Sequence, residues 1–332
     1  MLLLLSCAVL SSCTKTVNTD PVPLWNIPAA PDHFGVQFVP IDNPISALKW
    51  ELGRALFFDT QLSIDGMISC ASCHLPAQAF GGSTPTTAGA NGAAGTRNVP
   101  ALSNIGWHPY FTREGGVPTL EMQVLVPIQE ANEFNHNIVL IAEQMAGDSV
   151  YKRMTQDAFG AAPSPFTITR ALAAFERTLI SGTSAYDRWV EGDASSLSQA
   201  ALHGQEIFES IGCGQCHTGP QFSDFELRNN GTYATYPDSG VYRLTLNPDD
   251  IGKFKTPSLR NLSYSAPYMF DGSFATLDEV IENYAQGGSN HFNQAVEVQP
   301  FQITAAERSD LKTFLQALDD PQFVAWSNTL AP

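Results

Sequence analysis

Charge is scarce in this chain, and positive charge is scarcer still. Charged residues make up 15% of 332, with 17 Lys and Arg against 33 Asp and Glu, where a globular domain averages about 25% charged. A formal net charge of −16 offers no basic surface for a phosphate backbone, which argues against nucleic acid as a partner. Cysteine is also sparse: six residues are too few for a disulfide scaffold in a chain of this length. The apolar run Met1 to Val9 falls well short of the ~20 residues that a membrane-spanning helix needs. Alternating strand patterns are few. What is present is 43% hydrophobic residues, enough to bury a sizeable core, in a length that suggests two domains.

The short apolar run resembles the h-region of a secretory signal, although no Lys or Arg precedes it. Leu10-Ser11-Ser12-Cys13 resembles a bacterial lipobox, with Cys13 the expected lipidated residue and a simple signal peptide the alternative. The expectation is therefore an exported, periplasmic protein that meets the membrane only through a lipid anchor at Cys13. Residues 14–40, rich in Pro, Thr and Asn, read as a tether.

The four remaining cysteines form two copies of C-x-x-C-H: Cys70-Ala71-Ser72-Cys73-His74 and Cys213-Gly214-Gln215-Cys216-His217. This pattern attaches c-type haem: two thiols add to the porphyrin vinyl groups and the adjacent His ligates iron. A zinc site would use Cys pairs without the appended His, and a thioredoxin-type motif would occur once in a βαβ context. The expected cofactors are two covalent haems. Helical patterns surround the motifs: Pro44 to Phe58 before the first, Ser198 to Phe208 before the second with Ser198 as cap, and Thr167 to Leu179 closing the first domain. Thr304-Ala305-Ala306-Glu307 reads as a capping box opening a helix to Leu318. The expected fold is mainly α, two cytochrome c-like domains in tandem over 41–192 and 193–332, joined near Gly192 to Ser198.

Several further blocks resemble the bacterial di-haem cytochrome c peroxidase family, which includes MauG. They are Leu52-Gly53-Arg54-Ala55-Leu56-Phe57-Phe58-Asp59, Leu120-Glu121-Met122-Gln123 through Pro127 to Glu133, Thr256-Pro257-Ser258-Leu259-Arg260-Asn261, and Ala266 through Gly272. The resemblance, over about residues 46 to 318, implies that the N-terminal haem reacts with hydrogen peroxide and the C-terminal haem feeds it electrons. Gln123 and Glu133, ten apart, match the family's distal pair, with Glu133 as acid-base group, Gln123 orienting peroxide and Pro127 lining the pocket. Taken alone, each has a plainer reading: a solvated carboxylate, a backbone cap and a helix breaker.

The resemblance also carries departures. Family peroxidases place a ligating His sixteen residues after the first motif's His, and here that position is Ala90. The first iron is thus expected to be open at rest. His108 and His136 are alternatives, with packing roles the plainer reading. Leu277 through Tyr284 places Tyr284 at the second haem's sixth-ligand position, where peroxidases have Met and MauG has Tyr; Met269 competes. A phenolate ligand favours high oxidation states, whereas Met raises the potential. Arg113 stands where an inter-haem Trp is usual, and Trp107 is out of register. The resemblance further implies calcium between the domains, held by the Asn98 side chain and the carbonyls of Ser265 and Pro267, and a possible homodimer.

The expected function is a peroxidase that reduces hydrogen peroxide with electrons from a small c-type cytochrome or cupredoxin. A MauG-like oxidase acting on a partner protein or small molecule is the alternative. A plain electron carrier would need both irons six-coordinate, which Ala90 opposes.

Overall fold

The computed structural model describes residues 27–331; the signal, the lipobox and the first part of the expected tether lie outside them. Thirteen α-helices dominate the described residues: α1 (Ala47–Phe57), α2 (Cys70–Cys73), α3 (Leu120–Gln123), α4 (Leu125–Gln129), α5 (Ile138–Gly147), α6 (Ser149–Phe159), α7 (Pro165–Glu176), α8 (Ala185–Val190), α9 (Gln199–Ser210), α10 (Tyr242–Thr245), α11 (Leu277–Ala285), α12 (Ala305–Gln316) and α13 (Pro321–Ser327). A two-residue antiparallel pair, β1 (Leu227–Arg228) with β2 (Phe254–Lys255), is their one sheet. None of the described helices is long and apolar enough to cross a membrane.

The helix starts follow side-chain chemistry. Ser46 accepts from the Lys49 N–H to open α1, and Ser198 accepts from Ala201 to open α9. Thr304 and Glu307 form the expected reciprocal box at α12. The seventh helix starts two residues earlier than Thr167, because Ser164 caps it and Pro165 fits its first turn, where no N–H is needed.

Two aromatic cores are built on the same plan. In the first, α1 crosses α7 at Gly53, where an added Cβ would lie 2.0 Å from the Ala171 carbonyl oxygen. The close crossing packs Phe57 against Phe175 and Phe80, with ring centroids at 5.1 and 5.7 Å. In the second, α9 crosses α12 at Gly204, where a Cβ would lie 2.0 Å from the Asp310 carbonyl. There Phe208 meets Phe314 and Phe222 at 5.3 and 6.2 Å. Each phenylalanine buried this way contributes about 1.5–3 kcal/mol.

The two cores are tied together in ways that strict succession along the chain does not suggest. Phe323 and Val324 of α13, with Leu330 beyond it, are buried in the first core, and Arg54 donates to the Leu330 carbonyl at 2.9 Å. Arg260 makes a buried bidentate pair with Asp187 at 2.9 and 2.7 Å and donates to the Pro220 carbonyl. His33 and Phe34, part of the expected tether, pack on this same pair. His33 lies 3.0 Å from Asp187, and the buried Phe34 ring sits 4.5 Å from the Arg260 guanidinium. A tether reading based on composition misses this burial, because Phe34 and His33 find their partners more than 150 residues away.

Candidate functional site

Both C-x-x-C-H segments fold into tight turns that present histidine the same way. The His74 N–H closes onto the Cys70 carbonyl at 2.8 Å, and that of His217 onto Cys213 at 3.0 Å. Nδ1 of His74 lies 3.0 Å from the Phe80 carbonyl, and Nδ1 of His217 lies 3.1 Å from that of Phe222. Phe80 and Phe222 both take left-handed backbone conformations, φ 62° and 49°, which turn those carbonyls back toward the rings. With Nδ1 as the donor, Nε2 is left as a free acceptor, the tautomer a metal ligand requires. Burial lowers the pKa of both imidazoles and so keeps them neutral. All four motif cysteines are free thiols, half-buried and available for attachment.

The residues expected at the first site come from three segments. Helices α3 and α4 run on from Thr119, whose side chain caps α3, and Pro127 lies in the first turn of α4. The following loop folds back: the Phe134 N–H donates to the Pro127 carbonyl and Glu133 to Glu130, both at 3.0 Å. Onto this loop packs the segment that contains Ala90. Its N–H donates to the Glu133 carbonyl at 2.7 Å, and Ala90 is 2% exposed. The approach needs glycine at 89, where a Cβ would meet the Asn132 carbonyl oxygen at 2.1 Å. The Glu133 side chain is exposed on this face, yet crowding by protein pushes its carboxyl up from the ordinary value, and the charge of Glu130 adds to the shift. Gln123 turns its side-chain oxygen into a buried position with no protein partner. A buried acceptor left open in this way fits a ligand or cofactor.

The second site brings Tyr284 and Met269 together. Both reach the side-chain amide of Asn230, which donates to the Tyr284 hydroxyl at 3.2 Å and to the Met269 sulfur at 3.6 Å. Burial raises the Tyr284 pKa, and the Asn230 hydrogen bond opposes that shift. Close to His217, both polar atoms of the Gln221 side chain are buried without partners, as is the side-chain nitrogen of Asn283 beside Tyr284. These orphaned atoms, the free thiols and the two Nε2 acceptors fit two c-type haems.

Between the sites, Arg113 donates to the Asn98 main-chain carbonyl at 2.7 Å and contacts the Asn98 side-chain oxygen at 3.3 Å. The Arg113 carbonyl in turn accepts from the Lys255 N–H at 2.7 Å. Burial without a carboxylate partner pushes the Arg113 pKa down to about 10 and that of Lys255 to about 7. The calcium expectation does not fit this arrangement. The Asn98 oxygen it requires already faces a guanidinium, and a divalent cation beside that group would be repelled.

His108 lies in this junction, its ring 4.6 Å from Phe225 and its Nδ1 3.2 Å from Lys255 Nζ; burial holds its pKa well below the ordinary value. Nδ1 of His136 accepts from the next residue's N–H. Both contacts are packing or local ones. Trp107 points to the N-terminal segment, donating to the Gly35 carbonyl and meeting Phe34 edge to face at 5.4 Å. Sequence reasoning missed Asn230 and Lys255. The only local signal for the former was an Asn-Asn-Gly turn, and for the latter its place just before Thr256.

A family model described as di-haem cytochrome c peroxidase matches residues 47–195. The chain is 34% identical to the methylamine utilization protein MauG of Methylorubrum extorquens, over 84% of this chain and 80% of that one. It is 32% identical to the cytochrome-c peroxidase IdrP1 of Pseudomonas sp. strain SCT, over 96% and 91%. A solved structure of a MauG-like protein associated with microbial copper homeostasis superposes with a TM-score of 0.84 at 34% identity, covering 89% of this chain and 95% of that one.

Proposed function

The chain belongs to the di-haem cytochrome c peroxidase family, and from that premise we propose that it reduces hydrogen peroxide to water with electrons from a small c-type cytochrome or cupredoxin. Family membership makes it a peroxidase oxidoreductase and implies two c-type haems. In this reading Cys70, Cys73 and His74 hold the peroxide-reacting haem, in a domain over 41–192. Cys213, Cys216, His217 and Tyr284 hold the electron-entry haem, in a domain over 193–332. The haems, when bound, supply iron centres that take up electrons and pass them to the peroxide.

The carrying observation is the buried Ala90, hydrogen-bonded to the Glu133 backbone. A methyl group at this position has no lone pair to block the first site, so peroxide can enter without prior rearrangement. Glu133 takes a proton from one peroxide oxygen and delivers it to the other, which departs as water. Burial raises its pKa, and the charge of Glu130 adds to the shift, both favouring the protonated form through which this transfer passes. The open acceptor of Gln123 takes a hydrogen bond from the peroxide O–H and orients it, and Pro127 closes the pocket wall. Two electrons and two protons complete the conversion of one peroxide to two waters.

The remaining expectations belong to the same proposal: export to the periplasm, a lipid anchor at Cys13 and homodimer formation. A second reading, a MauG-like oxidase of a partner protein or small molecule, is favoured by the hydrogen-bonded Tyr284. Stopped-flow absorbance separates the two. The oxidised di-haem protein is mixed with stoichiometric peroxide, then with reduced cytochrome c. Fast reaction followed by many cycles of cytochrome oxidation is expected, and Glu133→Gln should slow turnover by about 10²–10⁴-fold with both haems still attached. A long-lived oxidised state that ignores the cytochrome would support the oxidase, and full turnover by Glu133→Gln would remove Glu133 from its role.

A further inference from the structure

Tyr284 and Met269 are 15 residues apart in sequence, yet one side-chain amide holds both. The orientation of that amide is set from its other end. The Asn230 side-chain oxygen accepts from the Thr232 hydroxyl at 2.7 Å, from the Thr232 N–H at 3.2 Å and from the Tyr236 hydroxyl at 3.2 Å. The Thr232 backbone N–H can only donate, so it excludes the flipped amide, and the two N–H bonds of Asn230 must face Tyr284 and Met269; the Tyr236 hydroxyl has its shorter partner in the Asn229 side-chain oxygen at 2.6 Å. The two contacts are unequal. The phenol oxygen at 3.2 Å is an ordinary acceptor, while the thioether sulfur at 3.6 Å is a weak one.

Met269 is held in place by its own backbone. Its φ of 72° is left-handed, a conformation uncommon for a non-glycine residue that persists only where surrounding structure imposes it. Its sulfur is kept close to the tyrosine by the Asn230 amide at 3.6 Å and the Thr232 hydroxyl at 3.9 Å, so the methionine is a standing alternative to it.

We propose that Asn230 is a positioning residue that selects Tyr284 over Met269 as the ligand of the second haem. This rests on the reading of Tyr284 as a ligand. An N–H aimed at the phenol oxygen stabilises the negative oxygen that a ferric centre takes. The same amide's second N–H occupies a lone pair of the Met269 sulfur and turns it away from competition. Asn230 thereby keeps the second haem at low potential, because methionine ligation would raise it.

The test uses haem-loaded full-length protein carrying N230D, N230L or Y284F, with haem content per chain measured first. Asp at 230 retains an oxygen for Thr232 and Tyr236 but replaces the donor with an acceptor that opposes an anionic phenol oxygen. If N230L loads poorly, N230D alone carries the test. The expected result is a methionine-ligation signature in the ferric spectrum, absent from the wild type, together with a higher midpoint potential of the second haem. Adding M269L to N230D should abolish that signature. A wild-type spectrum and potential in N230D would overturn the selection role. A wild-type spectrum in Y284F would instead overturn Tyr284 as the ligand, so the two failures are distinguishable.

Discussion

The two halves of the molecule share a scaffold and differ in the residues expected to serve the histidine. Gly53, Phe57, Phe80 and Phe175 in the first half correspond one for one with Gly204, Phe208, Phe222 and Phe314 in the second. In each half a phenylalanine in left-handed conformation orients the motif histidine through its carbonyl. Of the residues expected at the first site, Ala90 is buried and the Gln123 side-chain oxygen is unpartnered; of those expected at the second, a tyrosine and a methionine share one amide. Copying the helix crossing copies the histidine geometry, and the less regular segments are where the two halves differ.

The comparison can be strained at its strongest point. Phe175→Ala and Phe314→Ala should each destabilise the protein by about 3–5 kcal/mol, read as matched shifts in denaturation midpoint. A loss in one half alone would break the equivalence of the cores. A smaller difference is built into the position after each phenylalanine, where the first half has Glu176 and the second has Leu315. Burial pushes the Glu176 carboxyl up to about 8 from 4.5. The folded state thus holds this proton more tightly than the unfolded one, and stability declines as pH rises from about 4.5 to about 8. Glu176→Gln should remove that decline, so its melting temperature should exceed the wild type's at pH 9 by more than it does at pH 5. A constant offset between the two proteins would contradict the burial of this acid. The smallest expected effect concerns the junction: with Arg113 on Asn98, calcium chelation should leave the melting temperature and both haem spectra unchanged. A chelator-induced shift would return calcium to that position.

What was legible in the sequence was local. The capping pair Thr304 and Glu307 is three residues apart, the C-x-x-C-H turns are five residues long, and Ser198 precedes its helix directly; each declares its geometry through neighbours. Ala90 was legible as the absence of a ligand, but its hydrogen bond to Glu133 was not, because a 43-residue separation leaves no periodic trace. The same holds for Asn230, whose partner Tyr284 is 54 residues away. Arg113 could be read as a departure from the usual residue, while its hold on Asn98, which displaces the calcium expectation, depends on two loops meeting. The packing of His33 on Asp187 and of Phe34 on Arg260 was hidden for the same reason: their partners lie more than 150 residues away.

Phe323, Val324 and Leu330 are bricks in the wall that Trp50 and Phe57 begin. As the polypeptide is made, the half that starts first must wait for residues near 330 before its core can close, whereas Ile207 through Leu318 complete the other half's core earlier. Emergence order and completion order are therefore reversed. A chain cut short after Leu318 would damage the earlier-made half and leave the later-made core whole.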